Sequence, residues 1–497
     1  MKIVSIMPDM GPGGLTAAVL SRSSLMVEAG EDASVVLYQF MPYFEEAVRE
    51  RIRNGRLNSK VRVHNPYQYY DSLYSDKSGY VPEIYPQTYQ HLTFTKEEIC
   101  ESYFDEELNL LARVIRSAAS RKLISIQYFD EASLIRKEEF FYGRKTPRIV
   151  RYYANGSLVN ERYLSVNGFC YLRQDVNGKT GKFTGFWSWD SKNKIKFYKS
   201  IWDWRRDFVS NVVCINSSSN LLLCDGNNVP PQFLRLKSDR FKVCPVIHMN
   251  HLDERGRERK HYGIYFNKLS DFDAVICLTS EQANDLRTSY GVEIPICVIP
   301  NRIAALPVSE INSNPRNFDV TMISRLEEGK GLADAIEAFR LIADNLPDAK
   351  LEIFGSGSME QEITNLIKEH GLERNITLRG VTPTPLKEMA KTKVFIFTSE
   401  SEGFGLTIAE ALSTGTPVVS FDVKYGPSSL IEDGETGYLI DNRNLKRLAD
   451  SVVSLLTDED LRAAFSEAAR RWFDANLSDK AVLARWMKAI DLVSKNQ

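Results

Sequence analysis

Phe397-Thr-Ser-Glu-Ser-Glu-Gly-Phe-Gly-Leu-Thr-Ile-Ala-Glu-Ala-Leu412 is the stretch from which the fold can be read. The run leading into it, Val394-Phe-Ile-Phe397, is β-branched and aromatic and reads as a buried strand. A short polar loop follows, and an Ala/Leu-rich segment with helical spacing begins near Phe404. A strand that runs through a glycine-containing turn into a helix presents free backbone N–H groups and a positive helix end, which suits a diphosphate. Those donors would come from Gly403, Phe404, Gly405 and Leu406. Glu402 lies in the loop and Glu410 in the helix, with seven residues between them. Glu410 sits roughly a turn and a half into the helix, placed to accept hydrogen bonds from a ribose diol. Glu402, before the helix, could face a sugar beyond the diphosphate. Two glutamates at a fixed spacing also occur in ordinary strand-loop-helix units with a solvated acidic loop, so the neighbouring segments decide between the two.

The chain has 497 residues, of which 43% are hydrophobic and 26% charged, a globular composition long enough for two to four domains. A net charge of −2 supplies no global basic field to draw in nucleic acid or lipid. No apolar run is long enough to cross a bilayer. The opening Met1-Lys-Ile-Val-Ser-Ile-Met7 is strand-like rather than a signal peptide. Seven scattered cysteines show neither a C-x-x-C pair nor zinc spacing and read as reduced, buried thiols of a cytoplasmic protein.

Residues 2–7 form a strand, Pro8-Asp-Met-Gly-Pro-Gly-Gly14 a loop, and residues 15–29 a helix, which together open a Rossmann-like unit. Gly11, Gly13 and Gly14 do not make the G-x-G-x-x-G fingerprint. They would let a ligand approach the backbone, or serve a tight turn only. Strands at 33–38 and 61–65 continue the unit. From about Tyr80 to Trp189 the pattern alternates as antiparallel β, with Asn-Gly turns at 155–156, 167–168 and 177–178. This reads as a β-meander inserted into the first α/β domain, either structural or an oligomerisation or acceptor-binding surface. Trp187, Trp189, Trp202 and Trp204 at its exit read as core or interface, the last two in a helical pattern over 197–213.

The α/β pattern resumes at 220–225. Val243-Cys-Pro-Val-Ile-His-Met-Asn250 is a strand whose polar end puts His248, Asn250 and His251 at the ligand crevice. The loop after it carries Arg255, Arg257, Arg259 and Lys260, a site for a phosphate-bearing acceptor or a solvated turn. Residues 301–317, with two prolines and four asparagines, read as a linker. In the second α/β unit, Arg325 and Lys330 flank one strand-to-helix turn, where two cations can hold a diphosphate leaving group. Residues 376–382 would bring the backbone near Gly380, Val381 and Thr382 to a base.

A glycine loop, a strand-end His, an Arg/Lys pair and Glu-x7-Glu, in that order, resemble the retaining, family-4 glycosyltransferases of GT-B fold. The β insertion, with Ile247-His-Met-Asn-His251 and Asp422-Val-Lys-Tyr-Gly-Pro-Ser428, looks similar to the wall teichoic acid poly(glycerol-phosphate) and poly(ribitol-phosphate) α-glycosyltransferases. The related glycosyltransferases of Ser-rich adhesins share such an insertion.

The resemblance implies an α/β fold in which two Rossmann-like domains face a cleft. Residues 1–79 and 205–300 would form the N-terminal, acceptor-side domain, and 80–204 the inserted antiparallel β domain. Residues 301–317 would be a hinge, 318–478 the nucleotide-sugar domain, and the helix at about 479–497 would return to the first domain. By the same resemblance, Gly13 and Gly14 lie against the donor sugar and diphosphate, and His248 contacts the sugar near its primary hydroxyl. Arg325 and Lys330 neutralise the diphosphate, Glu402 binds sugar hydroxyls, and Glu410 holds the ribose. Val381 and Thr382 lie at the base, and the backbone of Phe404, Gly405 and Leu406 forms the phosphate nest.

The implied reaction is same-face substitution, with the departing diphosphate oxygen as base and protein cations in place of a metal. The implied donor is UDP-glucose or UDP-N-acetylglucosamine, a substrate rather than a cofactor, and the acceptor a polyol-phosphate chain. Self-association through the β insertion, and action in the cytoplasm at the inner face of the membrane, belong to the same expectation. Two readings compete: transfer to Ser-rich adhesins with a companion subunit, and a non-catalytic binding partner of the same fold. Glu327 and Glu328, between Arg325 and Lys330, depart from the pattern and would have to point away.

Overall fold

The computed structural model describes all residues except 12, 78, 80–89, 96, 106, 142–145, 190–193, 254, 255, 260–264, 313, 314, 496 and 497. Arg255, Lys260 and the expected first residues of the insertion lie outside the described residues.

Three sheets organise the described residues. The first is seven-stranded and parallel, in the order Ile296–Val298, Val275–Cys277, Phe241–Ile247, Asn220–Asp225, Lys2–Met7, Ala33–Leu37, Arg62–His64. Lys2–Met7 and Asn220–Asp225 are buried along their whole length, as expected where helices cover both faces of a parallel sheet. The strand order reverses between these two, so the ligand crevice of this sheet opens where they end.

The third sheet is six-stranded and parallel, in the order Ile376–Gly380, Leu351–Phe354, Phe318–Ile323, Thr392–Phe397, Val418–Phe421, Gly437–Ile440. Its order reverses between Phe318–Ile323 and Thr392–Phe397, the strands that lead into Lys330 and Glu402.

Within the sequence of the first sheet, between Arg62–His64 and Asn220–Asp225, ten described antiparallel strands from Gln90–Phe94 to Ile195–Tyr198 pair strictly in chain order. Asn155 (φ 49°) and Gly156 (φ 70°) close a two-residue hairpin joining Ala154 to Ser157, the geometry that Asn-Gly favours. At Asn177-Gly178 the expectation of a tight hairpin fails. The Asn177 side chain accepts from Lys179 N–H and Thr180 N–H, and the left-handed position falls to Gly181. The side-chain bonds offer the backbone a longer loop than the dipeptide alone indicates. The helix expected over 197–213 begins only at Ile201, because Phe197 and Tyr198 still pair in the last strand.

The meander packs on the first sheet through an aromatic core that includes Tyr67, Tyr70, Tyr163, Tyr171, Trp204 and Phe208. Trp204 has no exposed surface and donates Nε1–H to Ser188 Oγ at 3.1 Å. A buried ion pair, Arg148 to Asp71 at 3.1 Å, crosses the same junction. The C-terminal helix Asp479–Lys495 returns to the first sheet, where Val482, Trp486, Ala489 and Val493 pack with Ile3, Leu25 and Leu221. Arg302 pins the crossing point by pairing with both Glu28 and Asp479.

Candidate active site

The two points of strand reversal face each other at contact distance. A Cβ on Gly14, in the loop after the first strand, would lie 3.1 Å from Leu406 Cδ1. A Cβ on Gly403 would run into the His248 carbonyl and Met249 Cα. The Glu402 loop therefore seats directly on the strand end that carries His248, and only glycine permits it. Gly405 (φ 87°) caps the helix Leu406–Ser413, so the turn into the helix needs a left-handed residue.

Lys330 Nζ donates to Glu402 Oε1 at 2.5 Å, and both side chains are mostly buried. Arg325 is 70% exposed and pairs with Glu327. Glu327 thus does not point away as the pattern required; it occupies the guanidinium, and Arg325 must exchange this partner to meet a diphosphate. Arg443 pairs with Asp334 and Glu400 and braces the loop that carries Glu402. The Glu410 carboxyl has no partner among the described residues, and burial pushes it up to about 7. Val381 and Thr382 follow the edge strand Ile376–Gly380, two positions from the point of reversal, and Val381 is exposed.

The Arg257 side chain pairs with Asp253 at 2.8 Å, and Arg259 Nε donates to Leu252 O at 2.9 Å. Both cations are therefore engaged locally.

Asp225, Asp285 and Ser401 were not singled out from the sequence, nor were the partners that His248, Asn250 and His251 take at the crevice. Asp225 accepts from His248 Nε2 at 2.7 Å and from Arg22 at 2.6 Å. Asn250 Nδ2 reaches across the cleft to Ser401 Oγ and Lys424 O, each at 3.1 Å. Tyr425 stacks on His251 and donates its hydroxyl to Asp285 at 2.7 Å, and Lys424 Nζ meets the same carboxylate at 2.8 Å. Burial, with Lys424 nearby and only Asp285 opposing, lowers His251 to about 4. Asp225 left one visible signal, an acidic residue ending an apolar strand ahead of a glycine. The cross-cleft contacts left none.

Residues 308–472, which hold Lys330, Glu402 and Glu410, match the family "Glycosyl transferases group 1". Over 494 residues the chain is 26% identical to the poly(ribitol-phosphate) alpha-N-acetylglucosaminyltransferase of Staphylococcus aureus, covering 96% of this chain and 97% of that one. It is 28% identical to the poly(glycerol-phosphate) alpha-glucosyltransferase of Bacillus subtilis, over 92% of this chain and 70% of that one. A solved structure of S. aureus TarM, a variant in complex with fondaparinux, alpha-GlcNAc-glycerol and UDP, superposes with a TM-score of 0.84 at 23% identity, covering 100% of both chains.

Two parallel sheets facing across a cleft, with the family match on the second, define a glycosyltransferase of GT-B fold whose residues 308–472 carry a group 1 glycosyltransferase domain. Along its whole length the chain is similar to the wall teichoic acid polyol-phosphate α-glycosyltransferases, with the antiparallel domain inserted in the N-terminal half. Among the described residues, no helix is long and apolar enough to cross a membrane, and no group of three or more His, Cys, Asp or Glu is placed to hold a metal ion.

Proposed function

We propose that the protein transfers glucose or N-acetylglucosamine from a UDP-sugar to hydroxyls of a wall teichoic acid polyol-phosphate chain, with retention at the anomeric carbon. The observation that carries this reading is the placement of Lys330 and Glu402 at the N-terminal end of the Leu406–Ser413 helix, directly against the His248 strand end. The diphosphate sits at the helix end, on the backbone of Phe404, Gly405 and Leu406. Lys330 and Arg325 stabilise the charge that develops as the bond from the anomeric carbon to the β-phosphate oxygen breaks. Glu402 and His248 hold the sugar, and Gly13 and Gly14 leave room beside it. Glu410 accepts from the ribose, and the base lies at Val381 and Thr382. The acceptor oxygen bonds to the anomeric carbon on the face the diphosphate leaves, and its proton passes to the departing diphosphate oxygen. In this reading the protein's own cations do this work without a metal.

The first sheet with its helices serves as the acceptor side and the last sheet as the donor side, with the segment at 301–317 as hinge. The arginines beside Leu252 contact phosphates of the acceptor. The meander serves self-association or acceptor binding, and the protein works in the cytoplasm at the inner face of the membrane.

The test is to offer UDP-glucose and UDP-N-acetylglucosamine separately with poly(glycerol-phosphate), poly(ribitol-phosphate) or a Ser-rich peptide, and to read UDP release and acceptor mass. Transfer to a polyol-phosphate with chelator present is expected. Transfer only to peptide, or none to any acceptor with donor binding retained, overturns the reading.

A further inference from the structure

Behind His248 lies a line of buried groups that the roles above do not use. Asp225 ends its strand with no exposed surface. Its Oδ1 meets His248 Nε2 at 2.7 Å and Arg22 Nη1 at 3.1 Å, and its Oδ2 meets Arg22 Nη2 at 2.6 Å. Arg22 Nη2 also donates to Ser5 Oγ at 2.8 Å, and its guanidinium lies 5.3 Å from the ring centroid of Trp486 on the returning C-terminal helix. Burial acts to raise the Asp225 carboxyl, but Arg22 and His248 outweigh it and hold the group below the ordinary carboxylate range.

We propose that Asp225 is a positioning residue for His248, and that Arg22 is the counter-ion that keeps Asp225 ionised. An ionised carboxylate only accepts hydrogen bonds, so the Nε2 atom of His248 must carry the proton. The ring is thereby fixed in orientation. In its neutral form its lone pair lies on Nδ1, which is left to accept from a sugar hydroxyl. Without Arg22, a carboxyl with no exposed surface would favour its protonated form. It could then donate to Nε2 and reverse the tautomer. The inference rests on the reading of His248 as a sugar contact. A purely structural ion pair between the first helix and the sheet would stabilise the fold without acting through His248.

The full-length protein and the variants D225N, H248A and D225N/H248A would be compared for transfer rate, for UDP binding, and for the ring-nitrogen NMR shifts of His248. The chain has six histidines, and H248A assigns the signal. D225N places an amide nitrogen among the donors of Arg22 and removes the charge that fixes the proton. The expected result is at least a tenfold loss of kcat in D225N with UDP binding within twofold, less than a twofold further effect of D225N in the H248A background, and an Nε2–H tautomer in the wild type that is lost in D225N. Multiplicative losses in the double variant, or an Nδ1–H tautomer in the wild type, overturn the proposal. Loss in H248A but not in D225N overturns the positioning role alone. Wild-type transfer by H248A overturns the sugar-contact reading, and this inference with it. If D225N does not fold, R22M/D225N removes the stranded cation and is held to the same outcomes.

Discussion

Lys330 and Glu402 come from opposite sides of the strand reversal in the C-terminal sheet and meet at 2.5 Å. The pair holds a cation at the mouth of the helix that follows Gly405, where a leaving diphosphate would be received. Each side chain is about one-fifth exposed, so water screens the cation only in part. Lys330→Met should therefore lower transfer by about a hundredfold to a thousandfold, the range found when one transition-state donor is removed. Glu402→Gln keeps the shape and removes the charge, and should lower transfer by at least tenfold. Unchanged rates in both variants, measured by UDP release at saturating donor, would remove these residues from the reaction.

Glu410 supplies a pH dependence with a definite sign. Its carboxyl lies at about 7 in the folded protein, against an ordinary value of 4.5. Between these values the folded state holds the extra proton, so stability falls as pH rises from 4.5 to 7. The ceiling is about 3 kcal/mol at about 1.36 kcal/mol per pKa unit. UDP, if its ribose uses the carboxylate, should bind more tightly as pH rises through 7 and should release a proton on binding. Calorimetry in buffers of different ionisation enthalpy measures that proton. Glu410→Gln should abolish both the proton release and the stability slope.

Gly403 tests whether the cleft must close. Its missing side chain lets the Glu402 loop lie on the His248 and Met249 backbone. Gly403→Ala should hold the two sheets apart, lower kcat by at least tenfold and leave UDP binding nearly intact, because the proposed nucleotide contacts sit on one side. Small-angle scattering with UDP bound should show a larger radius of gyration than in the wild type. An unchanged radius and rate would mean the contact is not needed for transfer.

Arg148 and Asp71 join the meander to the first sheet through a fully enclosed pair. Removing one partner leaves a buried charge without its counter-ion, so Asp71→Ala should destabilise by about 3–5 kcal/mol. Replacing both with apolar residues of similar size should recover much of that loss. Thermal denaturation of the two variants beside the wild type reads the difference.

Much of this architecture was written locally in the chain. The apolar runs at 2–7, 220–225 and 392–397 are strands because β-branched and apolar residues suit a sheet covered on both faces. The Glu402-to-Glu410 spacing places one carboxylate before the Leu406–Ser413 helix and one within it, whatever the rest of the chain does. Asn155-Gly156 turns a hairpin because both residues tolerate positive φ. Asn177-Gly178 shows the limit of that reading, since side-chain bonds inside the loop chose another turn.

Other features depend on groups far apart in sequence. Arg22 meets Asp225 across 203 positions, and Asn250 meets Lys424 across 174. No local periodicity encodes such pairs; they exist only once two sheets and a returning helix have packed. The sequence by itself determined the two α/β units, the meander inserted in the first of them, and which acids, cations and glycines stand at strand ends. Only the tertiary structure decided that Glu327 occupies Arg325, that Lys330 pairs with Glu402, and that Asp225 stands behind His248. The physical reason is that a charge takes whichever partner the packed backbone brings within a few ångströms, and that choice is made by long-range packing rather than by neighbours in the chain.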